Sequence, residues 1–431
     1  MRVFMVGWEP PAPYNTGGLG TACFGMSEGL VPHGVDVSVV IPEIPGPLPE
    51  SEVGLYIARN FAPVGISQHL TPSPEEILEA FTRSPYWSPD RTSKTPYSQV
   101  EVRGQQLRHV ATGATVTPNQ QSTWYAAHVA GAAEAHPDFD VVHAHDWMTY
   151  AAGAAAKEVA ATHGHKVPFI VHVHATEYDR CGANTEGGHP EIIALEKAGL
   201  KAADHVIAVS HFTKKVLHRQ YGVPLSKISV VHNGVPKKEP KRFDIHELKK
   251  HYKIVGTLGR VTLQKGPEQF LQVAKAVCEK DETVRFLMFG SGDMQEQIME
   301  MAARIGLTGK LLFAPFVRGT DIDKAYQMAD VFMMPSVSEP FGIVALEAIQ
   351  NGVPVIVSKQ SGASEVSDYL LKVDFWDIDK MTETVLHLLH NQDVRQYLVS
   401  GAKKDLEHLG WDDSARKLIA VYNQVLSTVR A

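Results

Sequence analysis

Short apolar runs alternate along this chain with longer stretches of helical spacing, and the alternation occurs twice. The runs Arg2-Val3-Phe4-Met5-Val6, 35–41, 140–143, 169–174, 205–209 and 228–231 have strand length and are mostly apolar, as buried parallel strands are. Between them lie helical patterns over 21–33, 122–135, 149–163, 191–203 and 213–221, with Ser210 placed to cap the last. A charged stretch over 236–253 reads as a connection, and then the pattern restarts. Strands are predicted over 253–258, 284–289, 311–313, 331–334 and 353–357, with an edge strand over 370–373. Pro267 opens a helix at its favoured first position, and further helices fall over 321–329, 378–389, 394–406 and 412–428. The pattern therefore predicts an α/β protein of two Rossmann-like doubly wound domains, residues 1–236 and 237–410, with a C-terminal helix over 411–431. Residues 43–125 break the rhythm. Proline and serine predict long loops there and a short helix over 74–81. They read equally as an acceptor rim or as a neutral insertion.

One stretch, 331–357, carries most of the candidate chemistry. It reads as strand, loop, helix, strand. Pro340 pushes Glu339 toward an extended conformation, which keeps it on the loop at the carboxyl end of a parallel strand. Open α/β sheets bind ligands at that edge. Glu347 falls two turns into the predicted helix, and the amides of Phe341, Gly342 and Ile343 form a helix N-terminus suited to phosphate. Arg260 and Lys265 share the loop after the second domain's first strand, within reach of one pyrophosphate. In the first domain, Gly17 and Gly18 lie in a glycine-rich turn ahead of a helix, where backbone can approach a ligand closely. Asp146 and His174 are the last polar groups before their loops and face the same predicted cleft.

Composition narrows the classes. A chain of 431 residues exceeds one ordinary core, and 44% apolar with 21% charged residues is a soluble balance. The net charge of −7 leaves no electrostatic footprint for nucleic acid. Cys23, Cys181 and Cys278 are isolated, which excludes a disulfide framework and a cysteine zinc site and fits a cytoplasmic setting. The chain enters a strand at its start, so no leader is expected, and no apolar run is long enough for a transmembrane segment. His143, His145, His172 and His174 invite a metal reading. They fall on two separate strands with no fixed carboxylate between them, so no metal and no cofactor are expected.

Glu339 and Glu347, with seven residues between them in Ser-Glu-Pro-Phe-Gly-Ile-Val-Ala-Leu-Glu-Ala, join Gly259-Arg260 and Gln264-Lys265-Gly266 to make a specific pattern. With Thr16-Gly17-Gly18-Leu19, His143-Ala144-His145-Asp146-Trp147, Val173-His174 and His232-Asn233-Gly234, the chain resembles the retaining glycosyltransferases of GT-B fold. Within them it is similar to bacterial and archaeal glycogen synthases and related group 1 glycosyltransferases. The resemblance covers nearly the whole chain. It implies two domains facing across a cleft, with the C-terminal helix crossing back. It implies that Glu339 stabilises positive charge at the donor's anomeric carbon and that Glu347 holds the ribose. Arg260, Lys265 and the amides of Gly18, Phe341, Gly342 and Ile343 would neutralise the departing diphosphate. His174 would contact the sugar's 6-hydroxyl, and Asp146 would position sugar or acceptor. Asn15 stands where bacterial glycogen synthases usually carry a lysine, which leaves the nucleotide base open.

The expected activity is therefore metal-independent transfer of glucose from ADP- or UDP-glucose to an α-1,4-glucan. The alternatives are another retaining hexosyltransferase, acting on a sucrose-phosphate, trehalose-type or cell-envelope acceptor, and a sugar-nucleotide epimerase. The expected partners are a nucleotide-sugar donor and a glucan or other saccharide acceptor. The oligomeric state is left open.

Overall fold

The computed structural model describes residues 1–14, 17–64, 117–236, 239–315, 317 and 319–430. The first sheet contains β1 (Arg2–Val6), β2 (Asp36–Ile41), β3 (Gly54–Ile57), β4 (Val141–His145), β5 (Phe169–Val173), β6 (His205–Ala208) and β7 (Ile228–Val230), in the order β3-β2-β1-β4-β5-β6-β7. The second contains β8 (Lys253–Leu258), β9 (Val284–Phe289), β10 (Leu311–Ala314), β11 (Val331–Met334), β12 (Val355–Ser358) and β13 (Leu371–Val373), in the order β10-β9-β8-β11-β12-β13. Neighbouring strands in both sheets run parallel.

The helices of the first half are α1 (Gly18–Leu30), α2 (Pro118–Ala135), α3 (Trp147–Thr162), the single turn α4 (Glu177–Arg180), α5 (Pro190–Ala202) and α6 (His211–Tyr221). Those of the second are α7 (His246–His251), α8 (Pro267–Lys280), α9 (Gln295–Arg304), α10 (Thr320–Met328), α11 (Ile343–Gln350), α12 (Ile378–His390), α13 (Gln392–Leu406) and α14 (Trp411–Arg430). Among the described residues no helix is long and apolar enough to cross a membrane.

Alternation along each buried strand supplies both faces of the first sheet. Phe4, Val6, Val142, Ala144, Phe169 and Val171 pack on one side, with Tyr150 and Ala152 of α3. Val3, Met5, Val39, Ile170 and Ile207 pack on the other, with Met26 of α1 and Leu418 and Tyr422 of α14. So α14, which follows the second sheet in sequence, completes the first sheet's core, as the GT-B resemblance implies.

In each sheet the strand order reverses once, between β1 and β4 and between β8 and β11. A crevice opens at such a point because the flanking connections leave in opposite directions. The strand order thus selects four loops, those after β1, β4, β8 and β11, and they hold or lead into Gly18, Asp146, Arg260, Lys265 and Glu339, while His174 follows β5.

Some expectations need correction. Residues 54–57, inside the stretch read as irregular, form the edge strand β3. The segment after β5, read as loop, contains α4, capped by reciprocal bonds between Thr176 and Asp179. α11 starts at Ile343, so Glu347 stands one turn into it rather than two. The helix expected over 74–81 lies outside the described residues, as do Asn15 and Thr16 of the glycine-rich turn.

Candidate active site at the two sheet crevices

The second sheet brings Glu339, Lys265 and Arg260 together. Lys265 Nζ lies 2.5 Å from Glu339 Oε2, and Ser336 Oγ donates to the same oxygen at 3.2 Å. Glu339 is 5% exposed. Its backbone is fixed on both sides, because its amide donates to Gln360 O and its carbonyl accepts from Gly362 N. The extended conformation imposed by Pro340 is thereby used, as a bridge to Ser361. Arg260, Lys265, Ser336 and Val344 line one pocket at this edge. Gly266, with φ 67°, lets the lysine loop close onto β11's exit: a side chain there would meet Pro335 O at 2.1 Å.

Gly342 caps α11 at φ 98°, and a Cβ on it would strike Met334 Cε at 2.8 Å and approach Glu339 Cγ at 3.2 Å. Phe341 and Gly342 precede the helix, and Ile343 is its first residue. The helix N-terminus therefore sits directly beside the Glu339 carboxylate. Glu347 accepts a bond from the buried Tyr326 hydroxyl at 2.7 Å, and burial raises its pKa above the usual carboxylate value.

The first sheet treats its predicted residues differently. Asp146, the residue after β4, has φ 61° and is almost fully buried. Its Oδ1 accepts from the amides of His174 (2.7 Å) and Ala175 (3.3 Å), and its Oδ2 faces Arg180 Nη2 at 3.4 Å. Asp146 thus fastens the loop after β5, so a direct contact with sugar is not its geometry here. Burial pushes its pKa up to about 6, against the opposing pull of Arg180 and the two amides. His174 is partly exposed, yet its Nε2 is bonded to His145 Nδ1 at 2.9 Å and is turned toward the sheet. Burial drives the His174 pKa down to about 3, so the ring is neutral.

Behind this loop Arg180 stands among Asp146, Glu177 and Glu196, all of them buried, and Glu196 Oε1 is 3.5 Å from Arg180 Nη1. One guanidinium cannot balance so many carboxylates in a dry site, and a proton must make up the difference. Glu196 is the group that takes it: burial pushes its pKa to about 8 against Arg180, while Tyr221 donates to its Oε2 at 2.5 Å.

Sequence reasoning missed Glu9. It lies on the loop after β1, 5% exposed, and accepts from Gly20 N at 2.9 Å at the start of α1. Its carboxylate oxygen also lies against Gly17. Gly18 has open space on its side-chain position, but Glu9 shares the helix end that the reading reserved for a diphosphate. Burial raises the Glu9 pKa, and the positive charge of Arg260, from the other sheet, partly offsets it. The signal was present: Glu9-Pro10 follows β1 as Glu339-Pro340 follows β11.

The two halves touch around these residues. Ser338 Oγ donates to Asp179 Oδ1 at 2.5 Å, next to Glu339. Ser210 and Thr213 donate through their hydroxyls to Pro340 O at 2.6 and 3.2 Å. Glu365 accepts the amides of His211 and Phe212 at 2.8 and 2.6 Å and lies 3.3 Å from His232 Nε2. Ser210 caps α6, as expected, and also serves this interface.

Comparisons agree with this architecture. A family model described as Glycosyltransferase Family 4 matches residues 16–239, more than half of the chain, and one described as Glycosyl transferases group 1 matches 238–405. An uncharacterized glycosyltransferase of Methanocaldococcus jannaschii is 29% identical over 98% of both chains. A D-inositol 3-phosphate glycosyltransferase of Salinispora tropica is 26% identical over 87% of this chain and 81% of its own. Among solved structures, sucrose-phosphate synthase from Thermosynechococcus elongatus superposes with a TM-score of 0.68 at 15% identity, covering 99% of each chain. Anabaena HepE, in complex with UDP and glucose, also scores 0.68 at 15% identity, covering 98% of this chain and 100% of its own. The chain is a glycosyltransferase of GT-B fold and belongs to the family 4, group 1 glycosyltransferases.

Proposed function

We propose that this glycosyltransferase is a retaining hexosyltransferase that moves glucose from ADP- or UDP-glucose onto an α-1,4-glucan. The observation that carries the reading is the Lys265–Glu339 pair beside the N-terminus of α11. It sets a cation and a carboxylate at one edge, and breaking a sugar–diphosphate bond needs both. Lys265, Arg260 and the amides of Phe341, Gly342 and Ile343 neutralise the departing diphosphate, a role the dipole of α11 favours. Glu339 stabilises the oxocarbenium-like centre that forms as the bond breaks. Glu347 holds the ribose.

The acceptor hydroxyl attacks the anomeric carbon from the face the diphosphate leaves. The bond from that carbon to the phosphate oxygen breaks, the bond to the acceptor oxygen forms, and the acceptor's proton passes to the leaving phosphate. His174, held neutral and bonded to His145, lines the sugar pocket, while Asp146 sets the loop that carries it.

UDP-glucose is the donor favoured between the two, since HepE was solved with UDP and glucose. A second reading for the acceptor, a phosphorylated polyol or sugar, is favoured by the names of two relatives, the inositol 3-phosphate glycosyltransferase and sucrose-phosphate synthase. The deciding experiment offers radiolabelled ADP-glucose and UDP-glucose to the enzyme with glycogen, maltooligosaccharide, fructose 6-phosphate or inositol 3-phosphate. Label in glucan supports the leading reading. Label only in a phosphorylated acceptor replaces it with the second, and transfer to none overturns both.

A further inference from the structure

Four histidines share one face of two neighbouring strands. Residues two apart on a strand point the same way, so His143 and His145 of β4 project together. β5 pairs with β4 in a register that sets His172 opposite His145, and His174, just past its end, extends the row. The sequence places these residues on two strands, and only the sheet order makes those strands adjacent. The rings form a ladder, with centroids 4.3 Å apart for His143 and His145 and 5.4 Å for His172 against each of them. His143, His145 and His172 are fully buried, and Tyr422 of α14 packs against His143.

Their hydrogen bonding is asymmetric. His143 Nδ1 lies 2.7 Å from the Tyr422 hydroxyl, and His145 Nδ1 lies 2.9 Å from His174 Nε2. Among the described residues the Nε2 atoms of both rings have no hydrogen-bond partner, and His172 has none at either nitrogen. Buried polar atoms left unpaired cost about 1–3 kcal/mol each, so this set asks for an occupant. One nitrogen from each of the three rings can be chosen so that all lie within 4.8 Å of one another. Zinc–nitrogen bonds of about 2.0–2.1 Å put tetrahedral ligands about 3.4 Å apart, so small side-chain rotations close the set. A histidine with one nitrogen held by a partner and the other free is also how metal-ligating imidazoles are oriented.

We propose that His143, His145 and His172 bind a single divalent transition-metal ion of the zinc class. Water fills the fourth position, a standard arrangement for three histidines. Tyr422 and His174 orient two of the ligands. The ion ties β4, β5 and α14 together, and through His145 it fixes the ring of His174 at the edge of the sugar pocket. The site is structural, and no step of the transfer passes through it.

The test uses the full chain without a histidine tag, stripped of metal by dialysis against dipicolinate and titrated with Co²⁺. Expected are one equivalent per chain, an intense four-coordinate visible spectrum, displacement by Zn²⁺, and a thermal midpoint raised by Zn²⁺. His172→Leu should abolish the spectrum and the shift. Tyr422→Phe should weaken affinity about 10–100-fold, the usual cost of losing a partner that orients a ligand. A spectrum that stays that of six-coordinate aqueous cobalt overturns the site and leaves buried water as the occupant. Binding that survives unchanged in His172→Leu overturns it as well. If that variant does not fold, the spectrum and stoichiometry of the unaltered chain decide alone.

Discussion

Glu339 and Lys265 form one ion pair to which the proposed mechanism gives two tasks, so removing each residue in turn should separate chemistry from binding. Glu339→Ala leaves the cations and amides for a diphosphate in place. It should lower kcat about 10³-fold, the scale of losing one preorganised charge, while calorimetry still detects UDP binding. Lys265→Ala should instead weaken UDP binding about 10–100-fold, the equivalent of one charged hydrogen bond. Near-normal turnover in Glu339→Ala would sink its assigned role. Glu196 makes a second prediction at this scale. Its pKa is raised from 4.5 to about 8, so the folded state holds a proton that the unfolded chain releases. That contribution to stability is complete below pH 4.5 and is lost as pH rises through 8. Thermal midpoints should therefore fall between pH 5 and 8 and level off above, and Glu196→Gln, which cannot ionise, should flatten that fall. Parallel slopes for the two proteins would mean that Arg180 keeps Glu196 ionised throughout.

Among the elements, α11 has the least tolerance for change at its start. Gly342 holds a positive φ, and a methyl group there meets both Met334 and Glu339. Gly342→Ala should cost about 1–3 kcal/mol in chemical denaturation and should weaken UDP binding, because relief of the clash moves Glu339 or the helix end. A variant as stable as the parent, with unchanged UDP affinity, would show that the backbone is not strained there. Element boundaries were legible where a local signal marked them. β8 and β9 lie over 253–258 and 284–289 as the apolar runs predict, α8 begins at Pro267, and α6 is capped by Ser210. The one-turn helix α4 also carried a signal, Thr176 three residues before Asp179, but in a polar stretch with no periodicity behind it. Glu339, Arg260 and Lys265 were legible because loops close in sequence to their strands carry them. The bonding of Asp146 to the loop after β5, the sheetward turn of His174 and the histidine ladder depend on β4 lying beside β5, and strand order is not written in any local pattern.

At the scale of the whole molecule, the candidate site exists only while the two sheets face each other, and one group of bonds between the halves gathers around the segment carrying Glu339. Pro340 O accepts from Ser210 and Thr213, Ser338 donates to Asp179, and Glu365 gathers the amides that start α6. Burial works to raise the pKa of Glu365, but the bonds from His232 and the two amides outweigh it and hold the carboxyl below its usual value. Its stabilising contribution is therefore present above pH 4.5 and is lost as pH falls through the lower folded value. Glu365→Ala leaves two helix-start amides and His232 without their acceptor, yet touches neither Glu339 nor the cations. The two halves should then separate more readily. Small-angle scattering should give a larger radius of gyration at neutral pH, and UDP should shrink it toward that of the parent. Because part of the donor's binding energy now goes into closing the cleft, KM for the donor should rise about tenfold, equivalent to 1.4 kcal/mol, while kcat at saturation changes little. If instead kcat falls and KM holds, the interface bonds act on the geometry of Glu339 after closure, and Glu365 is a positioning residue for the reaction itself.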